Sequence, residues 1–184
     1  GNGEDSAPVP FKFCISEGPD AKAPVIEGFN FENGAPVQYE VDSVNAEVYT
    51  NEPSTCKWSR VDKDLDAMEN AMTCSTQAGP RFNANLQFVC SGRLTSIQDR
   101  EENNFFFRCK DALNNEMSVG EKLTLRGTEP LVLKNVGPSG EIRGSTSVVE
   151  INLTATTSFG ADEGRATCYY KFEESGQFNV AMLG

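Results

Sequence analysis

The run Val44-Asn45-Ala46-Glu47-Val48-Tyr49-Thr50, followed after Asn51-Glu52-Pro53-Ser54 by Thr55-Cys56-Lys57-Trp58-Ser59, decides the fold. In its first half Val44, Ala46 and Val48 alternate with Asn45, Glu47 and Tyr49, the period of a half-buried strand. Asn51-Glu52-Pro53 ends that strand, because proline donates no ladder hydrogen bond and asparagine favours turns. A second strand follows with Cys56 and Trp58 on one face. A cysteine beside a large aromatic on an inward face reads as a disulfide packed on an indole, the centre of a small β-sandwich.

Further along, Phe82, Ala84, Leu86, Phe88 and Cys90 alternate as another strand. After a polar run over 98–104, Phe105, Phe107 and Cys109 share the inward face of the next. Cys56 and Cys109, both inward, are then the natural bridge between the two sheets. Cys74 and Cys90 remain as the second bridge of this domain, stapling the intervening excursion to its neighbouring strand. Within that excursion Leu65, Met68 and Met72 fall at helical spacing, which predicts one or two helical turns with an aspartate as N-cap. Asp62, Asp64 and Asp66 alternate like the start of a calcium loop and are the metal candidates of the chain. Ala67, however, stands where an EF-hand needs glycine, and Thr73 where it needs a bidentate glutamate. Solvated caps on a short helix account better for the three aspartates, and no cofactor is expected.

Composition narrows the class of protein. A hydrophobic fraction of 38% in 184 residues is enough to build a core. A formal charge of −11 argues against nucleic acid or an anionic membrane surface as partner, since phosphate binding needs clustered Lys and Arg. No apolar run approaches the roughly 18 residues that span a bilayer, so no membrane insertion is expected. Gly1-Asn2-Gly3-Glu4-Asp5-Ser6 reads as a flexible acidic mature end or as a remnant of recombinant expression. Six cysteines stand singly at 14, 56, 74, 90, 109 and 168, and there is no histidine. A metal site without histidine needs thiolates at short spacing, and no Cys-x-x-Cys occurs. Scattered single cysteines suit disulfides in an oxidising compartment, which places the chain outside the cell or on its surface. The absence of histidine also removes a Ser-His or Cys-His dyad. Carboxylate pairs carry no spacing signal here, so the chain is read as non-catalytic.

The ends of the chain repeat its middle. Thr55-Cys56-Lys57-Trp58 returns as Thr167-Cys168-Tyr169-Tyr170, with Leu65 and Met68 matched downstream by Phe178 and Met182. Phe105-Phe106-Phe107-Arg108-Cys109 is matched by Phe11-Lys12-Phe13-Cys14. Three parts follow: an N-terminal segment, 1–22, carrying a late strand of a split repeat; a complete domain, 23–116; and a partial one, 117–184. In the last part Leu123, Leu125, Leu131 and Leu133 mark short strands, and Val149, Ile151, Leu153 and Ala155 alternate as a longer one. Asn152-Leu153-Thr154 on that strand is a glycosylation sequon with Asn152 on the outward face. Cys14 and Cys168 are each left without a partner inside the complete domain. They pair within one chain, between chains, or with sequence outside this one.

The Thr50-to-Ser59 run, the Leu65-to-Met68 segment and Arg108-Cys109-Lys110-Asp111 together resemble the immunoglobulin-like modules found in tandem in bacterial and archaeal surface proteins. The resemblance covers about residues 24–115, with a partial match over 128–184. It implies immunoglobulin-like β-sandwiches, one complete and one split, and brings no catalytic residues. Trp58 lies only two residues beyond Cys56, and Phe107 occupies the tyrosine-corner position, so the chain departs from antibody-type domains. The expected function is a non-catalytic extracellular structural module. It would be a surface-protein or filament subunit assembling by strand exchange, with copies of itself or neighbouring repeats of a longer chain as partners. The alternative is an adhesin-type binding domain recognising carbohydrate or protein. In that version the aspartates at 62, 64 and 66 take calcium and Trp58 stacks on sugar.

Overall fold

The computed structural model describes residues 20–75, 83–145, 147–171 and 180–182. Cys14, Phe82 and Phe178 lie outside the described residues. The decisive stretch forms two strands, β3 (Ser43–Thr50) and β4 (Thr55–Ser59). As the alternation predicts, Ala46, Val48 and Thr50 are buried while Asn45 is exposed. Around them the fold is all-β. Antiparallel strands β1 (Ile26–Phe29), β3, β7 (Phe88–Thr95) and β6 (Thr73–Cys74) make one sheet in the order β1-β3-β7-β6. The facing sheet, in the order β2-β9-β8-β4-β5, contains β2 (Ala35–Val37), β9 (Glu121–Gly127), β8 (Glu102–Lys110), β4 and β5 (Asn70–Ala71). β2 runs parallel to β9, with Ala35 opposite Leu125 and Val37 opposite Gly127. Pro36 is tolerated there because β2 is an edge strand.

The core lies between the sheets and is built from Val37, Ala46, Val48, Trp58, Leu94, Phe105, Phe107, Leu123 and Leu125 with their neighbours. Trp58 meets Phe105 edge to face at 5.4 Å between ring centroids, and the Arg60 guanidinium lies 4.1 Å from the Phe105 ring centre. Cys56 and Cys109 sit directly opposite one another on the adjacent strands β4 and β8, with S–S 2.01 Å. The bridge is therefore within one sheet, not between sheets. Cys74 and Cys90 pair likewise across β6 and β7, with S–S 2.03 Å. Each sheet carries one cross-link, and the two meet in the core, where the sulfurs of Cys56, Cys74 and Cys90 all lie within 4.8 Å of one another. Inward cysteines at facing registers have no need to reach across the gap.

Four further expectations are corrected. The sheet passes the boundary placed at 116, because β9 pairs with β8 from Phe107↔Glu121 to Glu102↔Arg126. Leu123 and Leu125 are buried in the first core. The strand read from Phe82 starts only at Phe88. The Asn83 side-chain oxygen accepts hydrogen bonds from the backbone N–H of Asn85 and Gln87, closing a turn that leaves Leu86 exposed. The predicted helix is one 3₁₀ turn, Leu65–Ala67, and Asp64 does not cap it; the Leu65 N–H donates to Glu116 at 2.9 Å instead. Finally, the strand expected over Val149 to Ala155 begins at Thr154, as β11 (Thr154–Ser158).

The second unit is smaller. β10 (Val132–Gly137) pairs antiparallel with β11, and β12 (Tyr169–Tyr170) with β13 (Val180–Ala181). Among the described residues no helix is long and apolar enough to cross a membrane.

Candidate assembly site

The hydrogen-bond pattern shows how the second unit copies the first. In β1 and β3, Ile26 faces Thr50, Gly28 faces Tyr49 and Phe29 faces Val48, with a bulge after Ile26. In β10 and β11, Leu133 faces Thr157, Asn135 faces Thr156 and Val136 faces Ala155, with a bulge at the same place. The other strand pair matches as well. Lys57 faces Ala71 and Trp58 faces Asn70, while Tyr169 faces Ala181 and Tyr170 faces Val180. The Met72 N–H donates to the Cys56 carbonyl at 3.0 Å, and the Met182 N–H to the Cys168 carbonyl at 2.8 Å. Cys168 therefore takes the place of Cys56. Met182 takes the place of Met72 rather than Met68, since the backbone register decides it.

In the first unit β4 lies between β5 and β8, and β3 between β1 and β7. In the second, β12 has only β13, and β11 only β10, among the described residues. The side chains register this difference. Val48 and Ala46 are fully buried, whereas Leu153, two residues before Ala155 and thus in the place of Ala46, is 44% exposed. Leu133 and Val136, in the places of Ile26 and Phe29, are exposed as well. Between the two strand pairs lies a cleft of about 340 Å³, lined by Leu133, Val136, Leu153, Ala155, Cys168 and Tyr169 among others. Cys168 has no disulfide partner among the described residues and is half-buried. An apolar face of this kind is unfavourable in water until it is covered.

The residues singled out as binding candidates are otherwise engaged. Trp58 is 3% exposed, so its indole offers no stacking platform. The Arg108 guanidinium, on buried β8, bonds Asp62 at 3.0 Å and Asp64 at 3.3 Å. The cation of these two carboxylates is thus a side chain of the chain itself, and Asp66 stands exposed nearby. Asn152 is exposed just ahead of β11. Sequence reading missed a different acidic group, Asp20, Glu52 and Asp111, whose carboxylate oxygens lie within 4.8 Å of one another at the end of the first sandwich. Partial burial, then the charges of Asp20 and Asp111, push the Glu52 carboxyl above its usual range, against a hydrogen bond from Asn51. At Asp111 burial is the largest single influence and opposes ionisation. Bonds from the Asn115 side chain and from the N–H groups of Asn115, Leu113 and Asn114 together outweigh it and hold the carboxyl below its usual range. These bonds close the β8–β9 loop, a structural task.

No family model matches the chain, and no curated protein matches its sequence.

Proposed function

We propose that the chain is a non-catalytic extracellular structural module, a surface-protein or filament subunit that assembles when a strand from elsewhere completes its second sandwich. The observation that supports this reading is the exposure of Leu153, Leu133 and Val136 at positions whose counterparts in the first unit form or border a closed core. Two disulfides favour an oxidising compartment. Under this reading the acidity serves solubility, and Asn152 is available to a glycan.

Sedimentation velocity over a concentration series tests it. The chain should self-associate as concentration rises, and Leu153→Asp, which places a charge in the cleft at an already exposed position, should leave a monomer. A monomer at every concentration, or a Leu153→Asp variant that assembles like its parent, would remove the proposal.

A further inference from the structure

We propose that the two bridges of the first sandwich form one thiol–disulfide relay. The outer pair, Cys74–Cys90, is the port through which the buried pair, Cys56–Cys109, is opened by exchange of partners inside the core. Access comes first. Cys56 and Cys109 are 0% exposed, and their strands β4 and β8 each have a neighbour on both sides. Exchange needs direct contact of an attacking thiolate with a disulfide sulfur, so a thiol arriving from solvent reaches neither while the sandwich is folded. Cys90 on β7 is 1% exposed and equally shielded. Cys74 lies on β6, the edge of its sheet, and is half-buried. Of the four cysteines it alone offers appreciable surface to solvent.

Placement comes second. The sulfurs of Cys74, Cys90 and Cys56 lie within 4.8 Å of one another, and that of Cys109 is outside this group. A sulfur released from the outer pair therefore finds Cys56 beside it, with Cys109 behind as the leaving group. The steps balance with a small dithiol as reductant. One thiolate of the dithiol attacks the Cys74 sulfur; the Cys74–Cys90 bond breaks, a mixed disulfide forms at Cys74, and the electron pair leaves on Cys90. The Cys90 thiolate attacks Cys56; the Cys56–Cys109 bond breaks, Cys56–Cys90 forms, and Cys109 leaves as a thiolate that takes up a proton. The second thiol of the reductant, giving up its own proton, then closes on its partner sulfur as a cyclic disulfide and releases Cys74. Two electrons and two protons have passed from the dithiol to Cys74 and Cys109.

The product is cross-linked differently from the start. Cys56 stands on β4 and Cys90 on β7, which belong to opposite sheets. Two links within sheets thus become one link between them, and the edge strand β6 loses its covalent tie to β7. The sandwich stays stapled while its outer strand is set loose.

Disulfide mapping tests the relay on the full chain, carrying Cys14→Ser and Cys168→Ser so that no other thiol competes. Without denaturant, and with Trp58 fluorescence as the check that the sandwich stays folded, the protein is given dithiothreitol and quenched at intervals with N-ethylmaleimide. Digestion at acidic pH and mass spectrometry then identify each linked pair of peptides. Loss of Cys74–Cys90 should precede loss of Cys56–Cys109, and a Cys56–Cys90 cross-link should appear between the two. The same chain with Cys74→Ala leaves a Cys90 thiol beside Cys56, and should form Cys56–Cys90 with Cys109 alkylated in the absence of any reductant. If that variant fails to fold, the time course of the chain with Cys74 intact decides alone. Opening of Cys56–Cys109 before Cys74–Cys90, or no Cys56–Cys90 in either folded chain, would overturn the inference.

Discussion

Phe105→Ala should lower the unfolding free energy by about 3–5 kcal/mol, the range for deleting a fully buried aromatic ring. Phe105 is 0% exposed at the centre of β8, edge-on to Trp58 and beneath the Arg60 guanidinium. Truncation removes transfer free energy and leaves a cavity. It also strips the aromatic face from a cation whose remaining partners are the backbone carbonyls of Asn104, Thr95 and Ser96. Against a total of about 5–15 kcal/mol for a domain of this kind, such a loss brings the first sandwich close to unfolding. Urea denaturation followed by tryptophan fluorescence reads it directly, since Trp58 is the chain's single tryptophan. Phe105→Leu should recover most of the loss. A change below about 1 kcal/mol in Phe105→Ala would place the ring outside the core.

The second large effect concerns the cross-links. Cys56 and Cys109 are 53 residues apart, and Cys74 and Cys90 are 16 apart. In chain-entropy terms the longer loop contributes about 4 kcal/mol and the shorter about 3. Cys56→Ala/Cys109→Ala should therefore destabilise more than Cys74→Ala/Cys90→Ala, by about 1 kcal/mol. The sulfurs of Cys56, Cys74 and Cys90 fill one volume between the sheets, so each double variant also leaves a void beside the surviving bridge. The two losses should consequently fail to add in the quadruple variant. Thermal unfolding of all three variants gives the comparison, and the reverse order of stabilities would contradict the assigned pairing.

What could be read from residues was local. The alternation in β3, the shared face of Cys56 and Trp58, and the buried phase of Phe105, Phe107 and Cys109 are consequences of a two-residue period, which a sequence displays openly. Sheet membership is not local. Lys122-Leu123-Thr124-Leu125 announces a strand, but nothing in it says that the strand returns to β8 and accepts β2 in parallel. Similarly, inward cysteines show a face and not a neighbour, which is why the bridge within one sheet was expected between two. At the candidate site, the repeated Thr-Cys pattern located Cys168. The match of Met182 to Met72 required hydrogen bonds, because the turn between the paired strands differs in length between the two units. The Asp20–Glu52–Asp111 group joins three loops far apart in sequence and left no local signal.

The parallel pairing of β2 with β9 has a mechanical consequence. Tension drawn through the start of β2 and the end of β9 pulls the two strands in opposite directions along their common axis. The rungs between them are loaded in shear, all at once, rather than peeled apart in turn. The Gly34 N–H on the Thr124 carbonyl at 2.7 Å and the Thr128 hydroxyl on the Val37 carbonyl at 2.8 Å sit at the two ends of that short ladder. Stretching single molecules should find Thr128→Val yielding at a lower force than the parent, and equal forces would place the load elsewhere. In a fibre of such subunits, resistance to extension would reside in those few residues of backbone.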